Sequence, residues 1–363
     1  MIGDLNVAKA LSGTIGVAVG NNGNDNGIAI TGSAGAAVNV TNIADGDTVT
    51  VTAHAGNFSA VVAAATGKAV VTGTTAAQVI TGGKGADTIT GAGGKDNLTG
   101  GAGDDIFLIA AAADLHVDAS ITGGTGTDVI RFTSTAGETL ALGSSINVNS
   151  VVVSTAAGVT SGTTTENVNA SSAVGGIAVT GNDGNNILTG NASANVITGN
   201  GGNDTIIGGA GVDNLIGSSG TNVFSLSSAS GDETGNDETI SGGSGTDDSL
   251  FISGGTKVTN LSNDSISGVE NLRLDNNYAG SGDSNVQSVT MTNDQVDGFA
   301  KIKADNDIIT LSNVMKVDML TKTAITEIDG TVTIKTANVA SNTLTLKSDG
   351  TNIKAGGSTL IID

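Results

Sequence analysis

The chain has no cysteine, no proline and no tryptophan, and only one tyrosine and six phenylalanines among 363 residues. Without cysteine there are no disulfides and no thiolate metal sites. So little bulky apolar matter excludes an ordinary packed globule of this length. A solenoid needs far less, because each coil buries a few branched residues against its neighbours. Basic residues are scarce as well: 14 against 35 acidic ones leave a formal charge of −21. That sign argues against binding nucleic acid through its phosphates and suits cations. No apolar run approaches the ~18 residues of a membrane span. Met1 to Leu11 has Lys9 as its single basic residue and no uninterrupted apolar core, so no Sec signal peptide is expected.

What is abundant is glycine, 56 residues of it, and much of it is periodic. Five units of nine residues start at Gly181, Gly190, Gly199, Gly208 and Gly217. Their eighth positions are Leu188, Ile197, Ile206, Leu215 and Phe224, and their sixth positions are Asn186, Asn195, Asp204, Asp213 and Asn222. Four earlier units start at Gly73, Gly82, Gly91 and Gly100, with Ile80, Ile89, Leu98 and Phe107 at the eighth position and Gln78, Asp87, Asp96 and Asp105 at the sixth. Apolar residues and oxygen-bearing residues thus recur in fixed phase, in the pattern G-G-x-G-x-D-x-U-x. Each array is followed by one isolated copy, Gly123-Gly124-Thr125-Gly126-Thr127-Asp128 and Gly242-Gly243-Ser244-Gly245-Thr246-Asp247, and then by a Glu-Asn segment at Glu166-Asn167 or Glu270-Asn271. After Asp247 one residue, Asp248 or its neighbour, looks inserted before Leu250.

The expected fold is all-β: a parallel β-roll or β-solenoid with flanking β-strand regions. Two nine-residue units make one coil of eighteen, with short strands in two parallel sheets and turns along two edges. Residues eighteen apart then stack on one edge. The segmentation is an N-terminal β-rich region at 1–72, a first roll with its cap motif at 73–131, a linking β segment at 132–180, a second roll with its cap at 181–252, a second link at 253–284 and a C-terminal β-rich region at 285–363. Outside the arrays the polar and apolar residues alternate, as in Val289-Thr290-Met291-Thr292.

Such turns offer main-chain carbonyls and a carboxylate, and calcium, a hard cation that takes six to eight oxygens, is the ion that fits them. Zinc would want His or Cys, and the chain has only His54 and His116. The candidate ligand residues are Gly82, Gly83, Gly85 and Asp87; Gly91, Gly94 and Asp96; Gly100, Gly101, Gly103 and Asp105; Gly124, Gly126 and Asp128. In the second array they are Gly199, Gly202 and Asp204; Gly208, Gly209, Gly211 and Asp213; Gly243, Gly245 and Asp247. Asp87 with Asp105 is the strongest expected pair, Asp96, Asp204 and Asp213 follow, and several ions are expected. Asp114 keeps the eighteen-residue phase of Asp96 but follows alanines instead of glycines. Asparagine columns are expected to continue the coil as ladders where calcium stops.

No H-E-x-x-H surrounds either histidine and no G-x-S-x-G occurs, so no enzymatic activity is expected. His116, beside Asp114 and Asp118, is read as an exposed loop residue.

The units Gly82 to Leu108 and Gly199 to Ile216 resemble the RTX repeats of type I-secreted bacterial proteins, and the Thr-, Ala- and Asn-rich strands around them are similar to those of calcium-dependent S-layer proteins and adhesins. The resemblance implies several bound calcium ions and a location outside the cell or on its surface, reached by type I secretion with an uncleaved C-terminal signal at Thr359 to Asp363. It further implies self-assembly in a surface layer or fibre, with cell-surface polysaccharide or glycan as a further partner. An adhesin or matrix-binding module and the C-terminal part of an RTX hydrolase are the alternatives. Neither a nucleic acid partner nor a membrane span is expected.

Overall fold

The computed structural model of the chain describes residues 67–116, 119–227, 238–253, 258–274, 288–291 and 298–304. It also describes residue 295 and the strands at 14–18, 30–32, 37–41, 48–53, 59–61, 307–311, 327–329, 332–336 and 360–362. There are two compact units, Met1–Gly184 and Asn185–Asp363. Both are parallel β-solenoids.

The strands are short because the sequence supplies only three residues per half-coil between glycine turns. In Thr88–Thr90 and its equivalents the middle residue is buried and its neighbours face outward. Branched and aromatic middle residues stack one per coil into a narrow core, which includes Ile80, Ile89, Phe107, Ile121 and Ile130 in the first unit and Leu188, Ile197, Ile206, Leu215 and Phe224 in the second, each fully buried. This is how a chain so poor in aromatics still closes a core.

In the first unit the chain alternates between two sheets. Val79–Thr81, Asn97–Ala102 and Ser120–Thr125 lie side by side in one, and Lys68–Thr72, Thr88–Thr90, Ile106–Ile109 and Val129–Phe132 in the other. The strands Thr14–Ala18, Ala37–Thr41 and Ser59–Val61 extend the first sheet, and Ile30–Gly32 and Thr48–Ala53 extend the second. A third line of strands begins where Thr139–Ala141 pairs with Asn167–Asn169.

The coil length is not constant. After Ile109 the chain bulges through a 3₁₀ turn, Ala112–Asp114, so that Asn97 pairs with Ser120 and Asp105 meets Asp128 across 23 residues. The residue one coil beyond Asp96 is therefore Ala119. Asp114, whose sequence phase pointed to that column, lies in the bulge, where its Oδ2 accepts the Ala111 N–H at 3.0 Å. His116 follows it and is exposed; His54 and Asp118 lie outside the described residues.

The second unit repeats the plan. Ile187–Thr189, Thr205–Ile207, Val223–Ser227, Ser249–Ser253 and Asn271–Leu274 form one sheet line, and Val196–Asn200, Asn214–Ser218, Thr239–Ser241 and Ser265–Ser267 another. Further strands, from Val258–Asn260 to Leu360–Ile362, make a third sheet. Leu360–Ile362, within the segment expected to carry a secretion signal, pairs in parallel with Val332–Ile334. Among the described residues no helix is long and apolar enough to cross a membrane.

Candidate metal centre

Each nonapeptide turn needs glycine for two separate reasons. At the fourth position Gly94, Gly103, Gly126, Gly202 and Gly211 have φ between 93 and 129°, a region that side chains disfavour. The second position is left-handed in Gly101, Gly124, Gly209 and Gly243, and also in Ala92, Asn200 and Ser218, where no glycine is supplied. The first position needs glycine for space. A Cβ on Gly82, Gly91, Gly100, Gly199 or Gly208 would collide with Oδ2 of Asp87, Asp96, Asp105, Asp204 or Asp213 respectively. The carbonyls of the turns face the next coil: Gly85 O lies against Gly103, and Gly83 O against Gly101.

The sixth-position side chains point inward and form a ladder along the stack. In each, one oxygen accepts the main-chain N–H of the equivalent residue one coil earlier. Asp87 Oδ1 takes Ala69 N–H at 2.7 Å, Asp96 takes Gln78 at 2.8 Å, Asp105 takes Asp87 at 2.8 Å and Asp128 takes Asp105 at 3.0 Å. In the second unit Asp204 takes Asn186 and Asp213 takes Asn195, both at 2.8 Å, and Asn222 takes Asp204 at 3.0 Å. The asparagine ladder expected from the sequence is thus a ladder from side chain to main chain, which carboxylates and amides serve equally. An outer ladder runs beside it: fifth-position Asn185, Asn203 and Asp104 accept the N–H groups of Asn203, Thr221 and Thr127, one coil later.

The second polar atom distinguishes these acids from Gln78 and Asn195, though not from Asn222, whose Nδ2 is buried without a hydrogen-bond partner. Gln78 closes its own turn, donating from Nε2 to Thr74 Oγ1 at 2.7 Å and to the Ala76 carbonyl. Asn195 likewise donates from Nδ2 to Asn191 Oδ1 at 3.3 Å. An ionised aspartate has no proton to offer in that place. Oδ2 of Asp96, Asp105, Asp204 and Asp213 is buried with no hydrogen-bond partner. Such an atom costs roughly 1–3 kcal/mol, more if charged. Asp87 differs, since its Oδ2 accepts the Gly83 N–H.

Burial is the leading cause of a raised pKa throughout the ladder. It pushes Asp96 and Asp213 up to about 6 and Asp105 and Asp204 up to about 7, against main-chain hydrogen bonds that lower them. The charges of Asp87, Asp128 and Asp104 raise Asp105 further. Asp87 and Asp128 are raised for the same first reason. Buried acids of this kind accept either a proton or a cation. Among the described residues no three His, Asp or Glu side chains converge, so a cation here would draw most of its oxygens from main-chain carbonyls. That donor set suits calcium.

Two placements differ from the sequence expectation. The isolated motifs are not separate caps. Asp128 continues the Asp87–Asp105 column, and Gly124 and Gly126 stack on the Gly101 and Gly103 carbonyls. In the second copy the inward residue is Asp248, fully buried, whereas Asp247 is exposed. The extra residue falls before the sixth position, so Gly242 and Gly245 cradle Asp248 Oδ2.

The ladder also takes in acids from glycine-poor turns. Glu166 accepts Gly137 and Glu138 N–H, each at 2.8 Å, and Glu270 Oε2 accepts Asp248 N–H at 2.9 Å. Glu138 accepts Ala112 N–H at 3.0 Å and the Ser134 hydroxyl at 2.8 Å, and both bonds hold its pKa below the ordinary value. All three occupy the ladder phase. The sequence signal is an acid two residues before a buried aliphatic residue: Glu138 before Leu140, Glu166 before Val168 and Glu270 before Leu272.

The family model of the RTX calcium-binding nonapeptide repeat matches four copies, within residues 72–107 and 180–215. These are the stretches in which the orphaned carboxylates of Asp96, Asp105, Asp204 and Asp213 lie. The chain carries RTX calcium-binding nonapeptide repeats in these two stretches. No curated protein matches it significantly.

Proposed function

We propose that this chain is a secreted, calcium-stabilised structural protein that assembles with copies of itself in a bacterial surface layer or extracellular fibre, and that it has no enzymatic role. RTX repeats are typical of secreted proteins. The observation that carries the reading is the row of buried, partnerless carboxylate oxygens on Asp96, Asp105, Asp204 and Asp213. A bound calcium ion would supply the positive charge that each of these turns lacks. The chain's residues do the rest: glycines leave room for the carboxylates, and Oδ1 atoms tie each coil to the one before.

This arrangement favours export. At low cytosolic calcium the acids repel and resist burial, and the coils stay open; outside, calcium at about 10⁻⁴–10⁻³ M is enough to close weak sites. Parallel strands with open edges then offer contact chemistry to further copies, and cell-surface polysaccharide is the remaining partner. Type I secretion is the route that matches folding after export.

A calcium titration of the purified chain, followed by both circular dichroism and light scattering, tests this. Calcium is expected to induce β structure and then concentration-dependent assembly, and chelation to reverse both. Dichroism and size that ignore chelator would sink the calcium mechanism. A folded chain that stays monomeric and binds cells or glycans would fit an adhesin, and a catalytic domain upstream in the reading frame would fit the tail of a hydrolase.

A further inference from the structure

We propose that residues 129–180, which follow the first array, close without any ion, so that calcium switches the array while this stretch stays folded in either state. The inference rests on the reading that the array needs calcium, and sets where that need stops.

The oxygen-bearing rungs of this stretch are supplied by the chain itself. Asn149 is exposed, and its Oδ1 accepts the Asp128 N–H at 2.6 Å. Glu166 is fully buried, yet Gly137 N–H donates to its Oε1 and Glu138 N–H to its Oε2. Its extra methylene, relative to aspartate, lets each oxygen reach a donor of its own. Glu138 is held in turn by the Ala112 N–H and by the hydroxyl of Ser134, which itself accepts the Ala136 N–H at 3.2 Å. Every residue from 129 to 180 is described, and none of them buries a side-chain oxygen or nitrogen without a hydrogen-bond partner. In the first array Asp96 and Asp105 each bury one. The stretch also brings its own cation: Arg131, its single basic residue, donates from Nη1 to the Ala156 carbonyl at 2.6 Å and so ties one coil to the next.

The apolar core is denser here as well. Val129–Phe132 buries Ile130 and Phe132, and Ser150–Val153 buries Val151 and Val153 in register with them. Nonapeptide strands such as Val79–Thr81 and Thr88–Thr90 bury one residue each. A further pair of strands, Thr139–Ala141 and Asn167–Asn169, sets Leu140 against Val168, and Leu142 is buried just beyond. Apolar burial is what offsets the chain entropy lost on ordering. The glycine turns of the array lose the most entropy and bury the least apolar surface, and they have bare charge to bury besides. None of these handicaps falls on 129–180.

The test is hydrogen exchange read peptide by peptide on the full chain, in chelator and in saturating calcium. In chelator the strand amides within 129–180 are expected to exchange about tenfold or more slowly than those within 73–108, and in calcium both sets should be slow. Equally fast exchange of the two in chelator, with both slowed by calcium, overturns this proposal and leaves the calcium reading standing. Slow exchange of 73–108 in chelator, or fast exchange there in calcium, refutes the calcium reading instead. Two variants separate the supports. Glu166→Gln sets an NH2 against a main-chain N–H, and is expected to speed exchange around 137–170 in chelator about tenfold. Asp105→Asn is expected to raise the calcium needed to protect 73–108 and to leave 129–180 unchanged. Wild-type exchange in Glu166→Gln, or loss of protection at 129–180 in Asp105→Asn, overturns the account of a stretch that closes on its own bonds.

Discussion

Asp105 Oδ1 accepts the main-chain N–H of Asp87 at 2.8 Å, across eighteen residues of sequence. The acid of one coil is thereby bonded to the residue that carries the acid of the coil before. One oxygen is structural and the other is left for a cation, so two substitutions at this position separate the roles.

Asp105→Asn keeps an acceptor for the Asp87 N–H and removes the charge; Asp105→Ala removes both. The amide variant is expected to fold at raised calcium, with the midpoint shifted upward several-fold. The alanine variant should lose a further ~1–3 kcal/mol through the stranded N–H. Calcium titrations at fixed temperature, followed by dichroism, measure both. Identical midpoints for the two variants would show that the ladder bond contributes nothing.

Gly100→Ala places a Cβ against Asp105 Oδ2 and the Gly123 carbonyl. The first array is expected to lose calcium-dependent folding. Gly93→Ala is the control, because its Cβ would meet Thr75 atoms only at 3.6–3.8 Å, ordinary contact. Thermal melts in calcium should separate the two by well over the roughly 1 kcal/mol that glycine-to-alanine exchange brings through chain entropy.

Burial raises Asp96 and Asp213 to about 6 and Asp105 and Asp204 to about 7, from an ordinary 3.8. Between those limits the folded chain holds protons that the unfolded chain has released. Without calcium, stability is therefore greatest below the ordinary value and falls as pH rises through the raised ones. In chelator the chain is expected to melt at a higher temperature at about pH 4.5 than at about pH 8. Calcium binds the deprotonated form and should reverse that order. Equal melting in chelator at both pH values would mean that these acids are not buried in the calcium-free fold.

Phe224 fills an eighth position, is fully buried and pairs in register with Ile206 and Leu250. Phe224→Ala is expected to cost about 3–5 kcal/mol. Denaturant melts in saturating calcium would register it. A loss below ~1 kcal/mol would show a core loose enough to collapse around the gap.

The periodic part of this architecture is plain in the sequence. Every eighth-position residue from Ile80 to Phe224 is buried, and the sixth-position acids face the core edge as a column. What lies outside the arrays is less legible in the sequence, for a physical reason. The ladder bonds a side chain to a main-chain N–H, so its second partner leaves no mark in the sequence. Glu166 and Glu270 occupy rungs without the glycines that announce a turn. The bulge at Ala112–Asp114 lengthens one coil and moves the column from Asp114 to Ala119, and the extra residue before Asp248 shifts the inward position past Asp247. Only the spacing from acid to buried aliphatic residue survives these insertions.

The inner ladder gives the stack a direction, because every sixth-position oxygen reaches back to the coil before it. Removing the coil at Lys68–Thr72 takes the Ala69 N–H away from Asp87 and leaves its carboxylate with the Gly83 N–H. Removing the coil that carries Asp128 leaves a neutral amide of Asp105 without its acceptor. Weakening the support of a charge costs more than stranding one neutral N–H. The two ends of an array are therefore unequal, and the array tolerates erosion from its C-terminal end better than from its N-terminal one.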